Sequence, residues 1–274
     1  MIKMKGNILE ITKFSKTELQ KLIKKTLFFH ENKKKTFSTL KGKKICLLFD
    51  AASLRTKLSF EIATNKLGGF PYYVPAQSVI YEQDGTQRED YADIIETLDT
   101  FVDAYVLRDY SRELYDVFIK KEEPPFINGL CDVGHPSQAL ADISVITLKK
   151  GDLTKLNICA VCPSKGSGVI ESFVYAVLLL GGDVTLITET GKFKGKNKDF
   201  FDVVDKLKGS LVVVKDPEKV ISKADVLYVD EWWDNVPDFV SKKIPKGYQV
   251  NKEFLGKSKK DLIILHCLPA HHDR

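Results

Sequence analysis

The sequence predicts an α/β protein of two doubly wound domains, each with a parallel sheet flanked by helices. Two observations carry that expectation. Short β-branched or apolar runs alternate with longer segments of helical period in two successive series, and strands separated by helices imply right-handed parallel crossovers. The 274 residues are 43% hydrophobic and 29% charged, which supplies core for more than one small module and rules out disorder as the main state.

The elements follow in order. An amphipathic stretch over 17–30 precedes the first series, whose strand candidates are 45–49, 72–74, 104–107 and 126–128. Segments of helical period at 56–67, 89–101 and 113–120 separate them. The second series places strands at 158–161, 184–188, 211–214, 226–229 and 262–265, with helices near 169–180, 199–207 and 218–224. A connecting helix over 136–149 joins the two series, and no repeat or Pro-rich linker interrupts the chain. The domains are accordingly expected at 1–142 and 143–274, with ligands at the carboxyl ends of the strands.

Composition excludes several classes of function. A formal charge of +5 on 42 basic and 37 acidic residues is too mild and too evenly spread for a nucleic-acid protein. The runs Lys33-Lys34-Lys35 and 41–44 read as solvated faces. No apolar run is long enough to cross a membrane, and the first residues lack a signal-peptide pattern. Five cysteines is an odd count, and Cys46, Cys159 and Cys162 lie within apolar runs; a reduced, cytoplasmic setting fits better than a disulfide framework. Cys159 and Cys162 read as core thiols.

Three segments carry chemistry. Residues 49–61 run out of a strand through Ser53, Leu54, Arg55 and Thr56 into a helix. Free N–H groups at a helix N-terminus, two hydroxyls and an Arg fork suit a dianion such as phosphate; in the plainer reading Ser53 is an N-cap and Arg55 a surface charge. His135 and Gln138 stand three residues apart at the entry of the connecting helix, on one face. They suit a planar group bearing a carbonyl and an amino function, or they cap the helix. The third segment, His266-Cys267-Leu268-Pro269 with His271, His272 and Asp273 after it, follows an apolar strand. Thiol, imidazole and carboxylate invite a metal or nucleophile reading, against which stand poor ligand spacing and the inertness of a buried Cys.

Together the three segments resemble the aspartate/ornithine carbamoyltransferases over nearly the whole chain. Ser53-Leu54-Arg55-Thr56 is similar to that family's phosphate loop, with Ser59-Phe60-Glu61 and Leu67-Gly68-Gly69 following in order. Arg108 matches its carbamoyl-phosphate arginine, His135-Pro136-Ser137-Gln138 its His-Pro-x-Gln, and His266-Cys267-Leu268-Pro269 the His-Cys-Leu-Pro of the ornithine branch. The resemblance implies transfer of the carbamoyl group of carbamoyl phosphate to the side-chain amine of ornithine, giving citrulline and phosphate. It implies that Ser53, Leu54, Arg55, Thr56, Arg108, His135, Gln138 and Leu268 bind carbamoyl phosphate, and that Asp230, Cys267 and Leu268 bind the amino acid. Arg108, His135 and Cys267 become the catalytic candidates, with no metal or organic cofactor required. The first domain takes carbamoyl phosphate and the second the amino acid. The implied partners are those two small molecules, with no nucleic acid or membrane, and a homotrimer whose sites lie at subunit interfaces; Gln87 or Arg88, in 83–89, becomes the contact lent to a neighbour.

The chain also departs from the pattern. Where the ornithine branch has an Asn-Asn turn after the first strand of the second domain, this chain reads Lys165-Gly166-Ser167-Gly168. Asp230 and Trp232 match the family's Asp-x-Trp, but the Ser-Met-Gly beyond is replaced in the stretch from Trp233 to Pro237. These differences leave an acylated ornithine or another amine, or a non-catalytic relative, as alternatives. Lys57 stands where a second Arg is usual and is read as structural. The resemblance also implies a further long helix beyond Arg274. A dinucleotide-binding dehydrogenase is the competing class, since Gly166-x-Gly168 opens a helix and Glu189 ends the next strand, but the third glycine is missing.

Overall fold

The computed structural model describes residues 7–110, 112–120, 124–232, 244–245 and 247–270. Two compact units divide them: residues up to 13 with 28–137, and 14–27 with 138–274. The first helix, α1 (Lys16–Glu31), opens with a reciprocal cap in which Ser15 N donates to Glu18 Oε2 at 2.8 Å and Glu18 N to Ser15 Oγ at 3.2 Å.

In the first unit, β1 (Lys44–Phe49), α2 (Leu54–Lys66), β2 (Phe70–Pro75), α3 (Ala76–Ile80), α4 (Tyr91–Asp99), β3 (Ala104–Asp109), α5 (Glu113–Phe118) and β4 (Phe126–Cys131) follow one another. All pairings are parallel in the order β2-β1-β3-β4. Buried on both faces, β1 reads as a continuous apolar run. Cys46 and Leu48 pack with Tyr105, Phe118 and Phe126 on one side, while Leu47 and Phe49 pack with Val106 on the other.

The helix α6 (Pro136–Lys150) starts with Pro at its first position, where no N–H is needed. In the second unit come β5 (Ile158–Val161), α7 (Gly168–Leu180), β6 (Val184–Ile187), α8 (Phe200–Val204), β7 (Leu211–Val214), α9 (Glu218–Ile221), β8 (Val226–Val229) and β9 (Ile263–His266). Their sheet is parallel throughout, in the order β7-β6-β5-β8-β9. α7 is apolar almost all round and lies almost wholly buried. Among the described residues no helix is long and apolar enough to cross a membrane.

The expected strands all form, and β4 continues three residues past 128. The helix expected over 56–67 starts two residues earlier because Ser53 caps it, and the one expected over 89–101 is trimmed to Tyr91–Asp99. The single-turn α3, five residues after Pro75, is too short to show a period in sequence. In each sheet the chain reverses direction of winding once. The reversal lies between β1 and β3 in the first and between β5 and β8 in the second, and at such a point the loops leaving the two strands diverge and open a crevice at their carboxyl ends.

Candidate active site

The first unit gathers its polar residues at the β1/β3 reversal. Ser53 takes extended backbone angles and caps α2, its Oγ accepting from Thr56 N at 3.4 Å and lying 3.0 Å from Thr56 Oγ1. The cap and the putting of two hydroxyls on the first turn are therefore one feature. Arg55 and Leu54 project outward from that turn, and Arg55 has no ion pair among the described residues. Across the reversal, Asp50 ties the two strand ends together: its N donates to Arg108 O at 2.9 Å and its Oδ2 accepts from Tyr110 N at 2.7 Å.

Arg108 is brought to the crevice by a bulge. The β3/β4 register shifts between Leu107 and Arg108, leaving Gly129 as the extra residue on β4, and a bulge re-aims the side chain beside it. A Cβ at position 129 would stand 3.1 Å from Val106 Cγ1 and 3.2 Å from Leu107 O, a tight fit that favours glycine here. Arg108 is 9% exposed; its guanidinium donates to Tyr110 Oη at 2.6 Å and lies 5.0 Å from the centre of that ring.

His135 sits just before α6 and is half-buried, its Nδ1 3.2 Å from Ser137 Oγ. Burial, then the positive charge of Arg108, pushes its pKa down to about 3. The ring is neutral at physiological pH. The turn that presents it is held by Asn128, whose Nδ2 donates to Leu9 O at 3.0 Å and Gly134 O at 3.3 Å while Oδ1 accepts from Leu130 N at 3.0 Å. Asn128 and Gly129 were not expected as site residues; a glycine inside a strand pattern is the sequence signal that points to a bulge.

The second unit gathers its own set at the β5/β8 reversal and at the end of β9. Gln138, on the first turn of α6, donates from Nε2 to Asp142 Oδ1 at 3.0 Å. Asp142 is 6% exposed, and burial pushes its carboxyl up to about 7 although Gln138 and the nearby Tyr228 hydroxyl favour the ionised form. Asp230, 2% exposed at the end of β8, accepts from Ser167 Oγ at 2.7 Å and lies 3.8 Å from Cys267 Sγ. Ser167 also caps α7 through Ile170 N at 3.2 Å, so the departure from the family's Asn-Asn turn bonds directly to Asp230. Burial pushes Asp230 up to about 6. Burial, then Asp230 and Glu231, raises the Cys267 thiol, which keeps it protonated and makes it a poor nucleophile.

His266 Nδ1 accepts from Leu268 N at 2.8 Å, which fixes the turn carrying Leu268, a residue at φ 58. Among the described residues no three His, Cys, Asp or Glu side chains are gathered to hold a metal ion. His271, His272, Asp273 and Arg274, and the stretch from Trp233 to Pro237, lie outside the described residues. Cys159 and Cys162 are buried free thiols. Glu189, the acidic mark of the dehydrogenase reading, is occupied by Ser164, whose N donates to it at 2.9 Å. Lys57 stands 4.4 Å above the Tyr73 ring and 3.8 Å from Glu61, a packing role. In the exposed turn at 82–88, Arg88 lies between Glu82 and Glu89 and Gln87 Nε2 donates to Glu89 O at 2.9 Å.

Residues 6–148 match the family model for the carbamoyl-phosphate binding domain of aspartate/ornithine carbamoyltransferase, and residues 154–274 that for its Asp/Orn binding domain. The ornithine carbamoyltransferase of Methanocaldococcus jannaschii is 30% identical over 273 residues, spanning 97% of this chain and 87% of that one. That of Pyrococcus horikoshii is 35% identical over 237 residues, or 85% of this chain and 73% of that one. Among solved structures, the ornithine carbamoyltransferase of Pyrococcus furiosus superposes with a TM-score of 0.82 at 29% identity, covering 98% of this chain and 86% of that chain.

Proposed function

The chain belongs to the aspartate/ornithine carbamoyltransferase family, and from that premise we propose that it transfers the carbamoyl group of carbamoyl phosphate to the side-chain amine of ornithine, giving citrulline and phosphate. The observation that supports this reading is that the capped first turn of α2 follows β1 while Arg108 lies near the end of its neighbour β3, beside a bulge. The relatives' printed activity supports ornithine as the acceptor.

Carbamoyl phosphate sits with its phosphate against Ser53, Leu54, Arg55 and Thr56, where hydroxyls, backbone N–H groups of α2 and the Arg55 fork meet the dianion. Thr56, Arg108 and His135 direct donors at the carbonyl oxygen. In this reading the Ser137 hydroxyl, 3.2 Å from Nδ1, is the donor of that pair, and the neutral His135 ring carries its proton on Nε2 and offers it without competing for one. The ornithine amine, in its unprotonated form, attacks the carbonyl carbon. Negative charge builds on the oxygen, where a fixed donor contributes on the order of 10²–10³ in rate. The bond from the carbamoyl carbon to the bridging oxygen then breaks, phosphate leaves with the electron pair, and the proton released by the amine nitrogen passes to the departing phosphate. Gln138 and the Leu268 carbonyl hold the carbamoyl amino group, which keeps the carbon at attack distance. Asp230, Cys267 and Leu268 take the amino acid, Cys267 as an uncharged contact and proton relay.

In this reading residues 1–142 serve carbamoyl phosphate and 143–274 the amino acid, the reaction runs in the cytoplasm, and the active form is a homotrimer. Free thiols throughout support the compartment. The trimer is supported by an exposed apolar stripe on α2, Leu54, Leu58 and Ile62, beside exposed Phe70 and Tyr72 of the edge strand β2; it starts within the phosphate loop, so a neighbouring copy seated there would stand beside the substrate.

The test is phosphate release from carbamoyl phosphate with ornithine, acetylornithine, succinylornithine, putrescine, lysine and aspartate, with citrulline measured alongside. Ornithine as the preferred acceptor supports the assignment. The Ser167–Asp230 bond favours one second reading, an acceptor without a free α-amino group, and turnover with acetylornithine but not ornithine would replace the first by it. Release with none of them leaves a non-catalytic relative.

A further inference from the structure

The group that orients Gln138 lies one turn further along the same helix. Gln138 Nε2 donates to Asp142 Oδ1 at 3.0 Å, and Asp142 is 6% exposed. A primary amide has a donor end and an acceptor end, and whichever end a fixed neighbour takes, the other faces away from it. Asp142 Oδ1 is the accepting oxygen of this pair, so it takes the NH2 end of Gln138 and leaves the Oε1 acceptor turned away from it.

Asp142 is itself seated for this task. The Tyr228 hydroxyl stands beside it, near enough to favour the ionised form though without a hydrogen bond of normal geometry. Tyr228 is fixed in turn by stacking on Phe173, with ring centres 4.3 Å apart and planes 19° off parallel. Both aromatic residues are fully buried. A buried carboxylate has a desolvation cost and is retained where its hydrogen bonds specify a conformation; here the conformation specified is that of one amide.

We propose that Asp142 is a positioning residue for substrate recognition: by holding the NH2 end of Gln138 it presents Oε1 as the acceptor for the amino group of carbamoyl phosphate, and so lets the site distinguish a carbamoyl from an acetyl group. The inference rests on the reading of Gln138 as the contact to the carbamoyl amino group. Asp142 itself touches no substrate. Without it the amide is free to turn over, setting NH2 against NH2. Acetyl phosphate has a methyl group at that place and gains nothing from the acceptor, so its binding is indifferent to the orientation of the amide.

The experiment measures dissociation constants of both compounds for the wild type and for Asp142→Leu, which fills the space with an apolar group of similar size. Acetyl phosphate is measured directly, and carbamoyl phosphate as fresh solution without acceptor. The expected result is at least a tenfold weakening for carbamoyl phosphate with acetyl phosphate within twofold of wild type. Asp142→Ala, read the same way, serves if the leucine variant does not fold. Equal weakening of both compounds, or no change in their ratio, overturns the proposal and reduces Asp142 to a packing residue. If the wild type itself binds the two equally, Gln138 is not the amino contact, and the functional reading fails rather than the hydrogen-bond logic within it.

Discussion

Arg55 is exposed on the first turn of α2, so its removal costs the fold little while taking away the planar fork proposed to grip phosphate. Arg55→Ala is expected to lower kcat/KM by two orders of magnitude or more with an unchanged melting temperature, measured side by side; wild-type turnover would remove the phosphate loop from the mechanism. His135 offers a sharper test. Its ring is neutral because burial and Arg108 push its pKa down to about 3, so it acts as a donor and not as a base. His135→Ala should then lower kcat on the order of 10²–10³ and leave the shape of the pH profile between pH 6 and 9 unaltered. Loss of an acid limb on substitution would make it a base instead. The residues that carry these arguments were legible because each motif is contiguous: Ser53 to Thr56, His135 to Gln138, His266 to Leu268. Asp142 and Tyr228 were not, since their partnership joins α6 to β8, 86 positions apart, and no local spacing announces it.

At the scale of elements the sequence read well where a run was long and poorly where a tertiary contact set the limit. β1 and β5 are continuous apolar runs, and β5 could be placed to the residue and β1 to within one, whereas the bulge that aims Arg108 depends on how β3 lies against β4. The stripe Leu54, Leu58 and Ile62 recurs every four residues, yet it faces away from the sheet, with Leu54 at 72% exposure and Ile62 at 53%. Hydrophobic period alone cannot say which side of a helix meets its own core and which meets another chain. Contiguous exposed apolar surface of this kind suits association, and the proposed trimer would use it. Leu58→Asp is then expected to lower the mass of the wild-type species to that of a monomer in sedimentation velocity, with a helix content equal to wild type by circular dichroism. An unchanged mass would remove the α2 stripe from the proposed interface.

For the molecule as a whole, buried carboxyls set the response to pH. Burial pushes Glu171 and Asp142 each up to about 7 and Asp230 up to about 6. In the window between their ordinary values and these, the folded state holds more protons than the unfolded one, so stability falls as pH rises through it. His135 acts in the opposite sense between about 3 and 6.5, and carboxyls held below their ordinary values, such as Asp103 and Asp225, do so at more acid pH. Glu171 is buried within α7 and accepts from Asn197 N at 3.2 Å and from Lys196 N, holding the chain that follows β6. Its rise from 4.5 to about 7 corresponds to about 3 kcal/mol. Glu171→Gln keeps an oxygen for those amides without a charge, and its melting temperature should decline less than wild type from pH 5 to pH 8; parallel curves would show that the carboxyl titrates normally. The family's chemistry could be read from three short motifs and the two-sheet architecture from their alternation with helices, while the energetics of these carboxyls required knowing what encloses them.

The edge strand β2 carries prolines at both its second residue and its end, Pro71 and Pro75, and a proline offers no N–H to an incoming strand. In the proposed trimer, a newly made copy would offer its neighbours the side chains of α2 beside an edge that withholds two N–H groups from an incoming strand. Copies would then meet side chain to side chain, with strand-by-strand templating disfavoured at that edge.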